Sequence, residues 1–284
     1  MPHTQTASIL VIADPSLADL MLLIRKHDSW KTHVSSTRDE AFAELSTHGY
    51  ELVITGPNTA ASEDLAFYDR IRKTDPKIKL IALCFEGERS DVIEVILNHA
   101  FSYFTAPFSA ESVTAMIETA LDAGNWKDGI ELLSNRPNWI TLSVSSSKVT
   151  AERLVQFMRE LEPDLSEADR DAVQVAFREI LLNAMEHGGQ FNPTSKVELS
   201  YVRTDRMILY HLRDPGPGFS IDHLPQAAVS NPEDKPFDHI AYRAEHGIRP
   251  GGFGILVSRE LVDDLLYNEK GNEVLMIKYL NPTT

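Results

Sequence analysis

The chain has 284 residues, with 42 acidic against 27 basic side chains, a net charge of −15, and 43% hydrophobic and 24% charged content. That length accommodates two domains of ordinary size, and the composition is that of a globular chain. The negative balance argues against a broad nucleic-acid or anionic-membrane face, which needs clustered basic side chains, and leaves room only for a small basic pocket.

The single cysteine, Cys84, excludes an intrachain disulfide and suits a reducing compartment. Met1 to Ala7 is polar, with no apolar signal core, and no apolar run approaches the length of a membrane span. The expectation is a cytoplasmic protein with neither nucleic acid nor membrane as a partner.

Ser8–Ile12 reads as a buried strand and Leu17–His27 as a helix. Trp30–Val34 and Arg38–Ser46 add a further strand and helix. Glu51–Thr55, Ile78–Leu83 and Phe101–Phe104 read as strands, and Leu65–Lys73, Asp91–Ala100 and Ala110–Asp122 as helices. Alternation of this kind predicts parallel pairing and a doubly wound α/β sheet, which binds ligands at the carboxyl ends of its strands.

Glycines, asparagines and a proline then interrupt the pattern between Gly124 and Asn138, with Ile130–Leu133 read as a helical turn. The predicted division is a first domain over 1–124, a linker over 125–137 and a second domain over 138–284. In the second domain Trp139–Val144 reads as a strand and Ala151–Leu161 as an amphipathic helix. Ser166-Glu167-Ala168-Asp169 reads as a cap for a long helix. Lys196–Arg203 and Met207–Arg213 read as a hairpin, Phe253–Asp263 as a helix, and Leu265–Asn268 with Val274–Tyr279 as strands around a turn at Gly271-Asn272. Strands in sequence with helices set apart predict an α/β sandwich, its helices on one face of a mixed sheet.

The long helix ends in Glu179-Ile180-Leu181-Leu182-Asn183-Ala184-Met185-Glu186-His187-Gly188. Val173, Phe177, Ile180 and Ala184 form its apolar stripe, and Glu179, Asn183 and His187 stack in a row about 100° away. A carboxylate, a carboxamide and an imidazole in one row can bind a hydrated cation and take a proton; a solvated helix face has the same pattern. Gly188-Gly189 is expected to stop the helix by turning left-handed. Two glycine motifs follow. Asp214-Pro215-Gly216-Pro217-Gly218-Phe219 comes directly after a strand, where its glycines let backbone approach a flat ligand and its carboxylate can accept from an adenine amino group. Gly251-Gly252-Phe253-Gly254-Ile255 opens a helix, where free N–H groups favour phosphate. Either motif alone also reads as an ordinary turn.

Two resemblances follow from these residues. Residues 8–122 resemble a response-regulator receiver domain, through Ile9–Asp14, Tyr50–Thr55 and Ala100–Phe108 in the expected order. The resemblance places Gly56 at the phosphoacceptor aspartate, Ala13 at the first acidic-pocket position, Cys84 at the switch Ser/Thr and Ala106 at the lysine before the proline. Only Asp14 remains of the acidic pair, too little for Mg²⁺. The implied state is a pseudo-receiver for docking, dimerisation or sensing. Cys84 is then either a redox switch or, as is commoner, a buried structural thiol.

Residues 139–281 resemble the GHKL ATP-binding fold, through Glu179…Asn183, Asp214-x-Gly216-x-Gly218 and Gly252-x-Gly254, and within it the bacterial anti-sigma-factor serine kinases. The resemblance implies ATP and Mg²⁺ as cofactors, Asn183 as the metal ligand, Asp214 with Gly216 and Gly218 on adenine, and Gly252, Phe253 and Gly254 at the phosphates. Glu179 is implied as the general base that takes a serine proton. Ser220–Pro250, with Pro225, Pro232 and Pro236, reads as a long irregular lid. Arg243 and Arg249 are candidate cations for the γ-phosphate, with Arg249 preferred. The implied partners are an antagonist protein of the anti-anti-sigma (STAS) type with a phosphorylatable Ser or Thr, a sigma factor, and a second copy in a homodimer. Two alternatives remain open: an ATP-dependent binding switch without transfer, and an atypical histidine-kinase-like signalling protein. Against the second stand the missing acceptor histidine and the missing receiver aspartate.

Overall fold

A computed structural model of the chain describes residues 6–12, 17–56, 61–85, 87–124, 126–219, 227–228, 235, 237–245 and 252–280. It divides into two units, one formed by residues 1–128 with 152–164, the other by 129–151 with 165–284.

The first unit alternates β1 (Ala7–Ile12), α1 (Ala18–Arg25), β2 (Trp30–Ser35), α2 (Arg38–Thr47), β3 (Leu52–Thr55), α3 (Ala61–Thr74), β4 (Lys79–Cys84), α4 (Arg89–Leu97), β5 (Ser102–Thr105) and α5 (Ala110–Asp122). The strand order is β2-β1-β3-β4-β5, with every pair parallel. Every residue of β3 and β4 is buried, as expected of central strands covered on both faces. Helix α1 packs with α5, and α3 with α2 and α4, which gives the doubly wound layering. Thr37 and Ser109 cap α2 and α5 by accepting from Glu40 N and Ser112 N. Gly56 follows β3 directly.

The second sequence segment supplies β6 (Ile130–Arg136), β7 (Trp139–Ser145), α6 (Lys148–Glu160), α7 (Glu167–Asn183), β8 (Lys196–Arg203), β9 (Met207–Arg213), α8 (Asp238–Glu245), α9 (Gly254–Leu261), β10 (Asp264–Tyr267) and β11 (Glu273–Tyr279). The sheet order is β10-β11-β9-β8-β7-β6. All its pairs are antiparallel, so the expected mixed sheet is corrected. Hairpins join β6 to β7, β8 to β9 and β10 to β11, and the helical excursions return the chain antiparallel. Strand β8 buries alternate residues, Val197, Leu199 and Tyr201, beneath the helices.

The reading of 125–137 as linker with a helical turn is corrected as well. Ile130–Arg136 is the edge strand β6, paired with β7. A register shift between Leu132 and Ser134 breaks the alternation that would have marked it as a strand.

The helix expected over Ala151–Leu161 forms, but from Glu152 onward it belongs to the first unit. The reason is polar. Strand β5 is the last of its sheet, and an edge strand carries unpaired N–H and C=O groups. Arg153, Gln156 and Glu160, on one face of α6, satisfy them. Arg153 Nε donates to Phe101 O at 2.7 Å and Nη2 to Ala100 O at 3.0 Å. Gln156 Nε2 donates to Tyr103 O at 3.0 Å, and Thr105 N donates to Glu160 Oε2 at 3.1 Å.

Candidate functional site

Helix α7 begins at Ser166, whose hydroxyl accepts from Asp169 N. It buries Val173, Ala176, Phe177, Ile180 and Leu181, and packs against α9. At Ala184–Gly188 the helix widens into a π turn, with Asn183 as the last α-helical residue. Such one-turn bulges re-aim side chains and concentrate at functional sites. Glu179, Asn183, Glu186 and His187 all reach one cavity of about 400 Å³.

Gly188-Gly189 does not turn left-handed as expected. Gly189 has φ −95°, and the positive φ values fall on Gln190 and Phe191. The glycines serve close approach instead. A Cβ at Gly188 would collide with the Asp214 carboxylate, and one at Gly189 with the Ser146 hydroxyl. The end of α7 thereby lies directly against Asp214.

Asp214 stands just past β9 and accepts from Gly216 N at 2.8 Å. Burial pushes its carboxyl above the ordinary carboxylate value, while the Gly216 N–H, Lys270 and His187 pull the other way. Gly218 has φ +80°, and a Cβ there would strike the Lys270 carbonyl, so the loop after Asp214 rests on the β10–β11 turn. Ile180, Leu212, Ile255 and Val274 add apolar wall, and Phe219 meets Tyr267 edge to face at 5.2 Å.

Gly252 and Gly254 line the same cavity, and Phe253 is the N-cap residue of α9. The Phe253 side chain does not cap that helix end, and Gly254 and Ile255 of its first turn line the cavity. A Cβ at Gly254 would press on Glu179 Oε2 at 2.6 Å, and glycine lets the Glu179 carboxylate stand beside the α9 N-terminus. The side chain of Glu179 remains 36% exposed.

The cavity thus gathers Glu179, Asn183, Asp214, Gly218, Gly252 and Gly254, with Gly216 in the turn that fixes Asp214 and Phe253 at the helix start. Arg249, Gly251, Asp14 and the side chain of Arg243 lie outside the described residues. The irregular lid expected over Ser220–Pro250 contains a helix, α8, and most of its remainder also lies outside them. Sequence reasoning missed Asn272 and Tyr267 as cavity residues. The turn at Gly271-Asn272 was legible, but its proximity to Asp214 depends on strand order.

The volume suits a nucleotide-sized ligand, which typically fills about 300–1,000 Å³. A half-buried carboxylate acceptor and a glycine-flanked helix start lining one cavity fit a base and a phosphate chain. Among the described residues no group of three or more His, Cys, Asp or Glu side chains could hold a metal ion. The Asn183 carboxamide is therefore an oxygen donor that suits Mg²⁺ only when phosphate oxygens complete its shell. In the first unit Cys84 is buried, and burial pushes its thiol up to about 11. Among the described residues no helix is long and apolar enough to cross a membrane.

The sequence model of the family described as "Histidine kinase-like ATPase domain" matches residues 144–278. The chain is 24% identical over 109 residues to the serine-protein kinase RsbW of Oceanobacillus iheyensis, across 38% of this chain and 64% of that protein. It is 22% identical over 144 residues to the transcriptional regulatory protein TrcR of Mycobacterium tuberculosis, across 51% of this chain and 56% of that protein. The chain thus spans less than two thirds of either curated relative. A response regulator from Thermotoga maritima superposes with a TM-score of 0.38 at 19% identity, over 41% of this chain and 98% of that one. Residues 144–278 of the chain match a histidine kinase-like ATPase domain, and a parallel five-stranded doubly wound unit precedes them.

Proposed function

We propose that this chain is an ATP- and Mg²⁺-dependent protein serine/threonine kinase of the anti-sigma-factor regulatory type. The observation that carries the reading is the convergence of Glu179, Asn183, Asp214 and Gly254 on one cavity from α7, the loop after β9 and the start of α9. In this reading Asp214 and the Gly216–Gly218 backbone read adenine, and Asn183 with phosphate oxygens holds Mg²⁺. The open N-terminus of α9, with Gly252 and Phe253 before it, takes the phosphates. Glu179 takes the proton from the acceptor hydroxyl. Its carboxylate stands beside the phosphate end and remains partly open to solvent, as a base that meets a protein substrate must. Arg249 is the proposed γ-phosphate cation. The proposed partners are an antagonist protein with a phosphorylatable Ser or Thr, a sigma factor and a second copy of this chain. The first unit regulates or docks without accepting phosphate, since Gly56 offers no carboxylate after β3.

The test is incubation with labelled ATP, Mg²⁺ and antagonist proteins from the same genome. Glu179→Gln is expected to retain ATP binding and lose transfer by at least about a hundredfold, the usual contribution of a positioned base. Asp214→Ala is expected to lose binding. Normal transfer by Glu179→Gln would remove the catalytic assignment. Binding by the wild type without transfer to any antagonist would leave an ATP-dependent switch in place of an enzyme.

A further inference from the structure

Asp214 reaches the cavity from a backbone tied on both sides. Its N–H donates to the Asn272 carbonyl at 3.0 Å, and its own carbonyl accepts from Asn272 Nδ2 at 3.2 Å. The first bond continues the β9–β11 ladder beyond the Arg213–Glu273 pair. The second needs the Asn272 carboxamide turned one way, and Asn268 sets that orientation. Asn268 Oδ1 accepts from Gly271 N at 2.7 Å, Asn272 N at 3.1 Å and Glu273 N at 3.2 Å. With its oxygen so engaged, Asn268 presents Nδ2 to Asn272 Oδ1 at 3.2 Å. Asn272 is left with Nδ2 for Asp214. The donor and acceptor inventory of two carboxamides therefore fixes both amide orientations. Lys270 Nζ adds a bond to Gly216 O at 3.3 Å on the same turn.

Asn272 is buried and lines the cavity, whereas Asn268 is exposed and does not. An exposed turn asparagine ordinarily stabilises only its own turn. Here it is linked through one residue, Asn272, to both backbone groups of Asp214: the N–H through the Asn272 backbone carbonyl and the C=O through Asn272 Nδ2. Adenine presents an amino donor where guanine presents a carbonyl acceptor. A carboxylate distinguishes the two only while it is held in place.

We propose that Asn268 is a positioning residue for Asp214, acting through Asn272, and that this brace sets the preference of the site for adenine over guanine nucleotides. The proposal rests on the ATP-binding reading above. The experiment uses the full chain and isothermal titration with ATP, GTP and inorganic triphosphate, the last a probe without a base. Asn268→Ala is expected to weaken ATP about tenfold and to change GTP and triphosphate less than about twofold, so that the ATP:GTP ratio collapses. Asn268→Asp keeps an oxygen for the three N–H groups and loses the donor to Asn272. It is expected to hold the thermal midpoint and still lose discrimination. Equal weakening of ATP and GTP in Asn268→Ala, or full discrimination in Asn268→Asp, overturns the proposal. Absence of binding of all three ligands to the wild type would defeat the ATP reading by itself. The brace is then decided by amide hydrogen exchange at Asp214, Gly216 and Gly218, expected to be faster in Asn268→Asp than in the wild type. Unchanged exchange overturns it.

Discussion

Arg153 is a heavily committed buried side chain of the first unit, and replacing it with methionine gives a sharp test of how that unit is closed. Its side chain is 1% exposed. It donates to Phe101 O at 2.7 Å, Ala100 O at 3.0 Å, Asp128 O at 2.5 Å and Asp128 Oδ1 at 2.6 Å. Its guanidinium lies 4.8 Å from the Trp126 ring centre and 5.1 Å from that of Phe101. Methionine keeps much of the stem but supplies no donor, leaving three carbonyls and a mostly buried carboxylate unsatisfied. His99 Nδ1, 2.6 Å from Asp128 Oδ2, offsets part of the carboxylate's loss. Breaking a buried ion pair from one side costs about 3–5 kcal/mol. That is a large share of the roughly 5–15 kcal/mol that holds a domain folded. With a urea slope of about 2 kcal/mol per molar, the midpoint falls by roughly 2 M. The assay is urea unfolding followed by Trp126 fluorescence, with Trp30 and Trp139 replaced by phenylalanine so that the signal reports this unit alone. Arg153→Met combined with Asp128→Asn is expected to recover part of the loss, because the stranded charge is gone. A loss below about 1 kcal/mol, the scale of an exposed pair, would refute the closure of β5 by α6.

Asp214→Asn is expected to stabilise the ligand-free chain at neutral pH while weakening ATP by at least about tenfold. The sign follows from the raised carboxyl. Its favourable contribution to folding is complete below the ordinary carboxylate value and is lost as pH rises through the higher folded value. The variant's advantage in thermal midpoint should therefore vanish in acid, and an advantage that persists there would contradict the assignment. In the wild type, ATP affinity should decline as acid protonates Asp214 above the ordinary carboxylate range, and a flat pH profile would contradict its role. Cys84, buried with its thiol near 11, should resist maleimide at neutral pH until the chain is unfolded. Rapid labelling of the folded chain would reopen the redox reading. Acetyl phosphate should leave residues 8–122 unmodified, and a stable acyl phosphate found there by mass spectrometry would overturn the pseudo-receiver proposal.

Much of this protein is legible in its sequence because the signals are local. Continuous apolar runs such as Leu80–Cys84 mark strands covered on both faces, and the alternation of Lys196–Arg203 marks a strand covered on one. The row Glu179, Asn183, His187 and the two glycine motifs are visible because helical spacing and backbone permissiveness are properties of residue type. Other features depend on residues distant in the chain. Strand β6 was hidden by its own register shift and became a strand only because β7 offers a pairing edge. The glycines after His187 are required by the approach of Asp214 and Ser146, which no local pattern encodes. Helix α6 reads as an ordinary amphipathic helix, yet only the packed sheet shows that Arg153, Gln156 and Glu160 face the open edge of β5. Asn268 reads as the end of a strand and Asn272 as a turn residue, and the β9–β11 pairing brings Asn272 to Asp214. Residue chemistry and spacing determined which groups could make a site; long-range strand pairing and close backbone approach decided which of them meet.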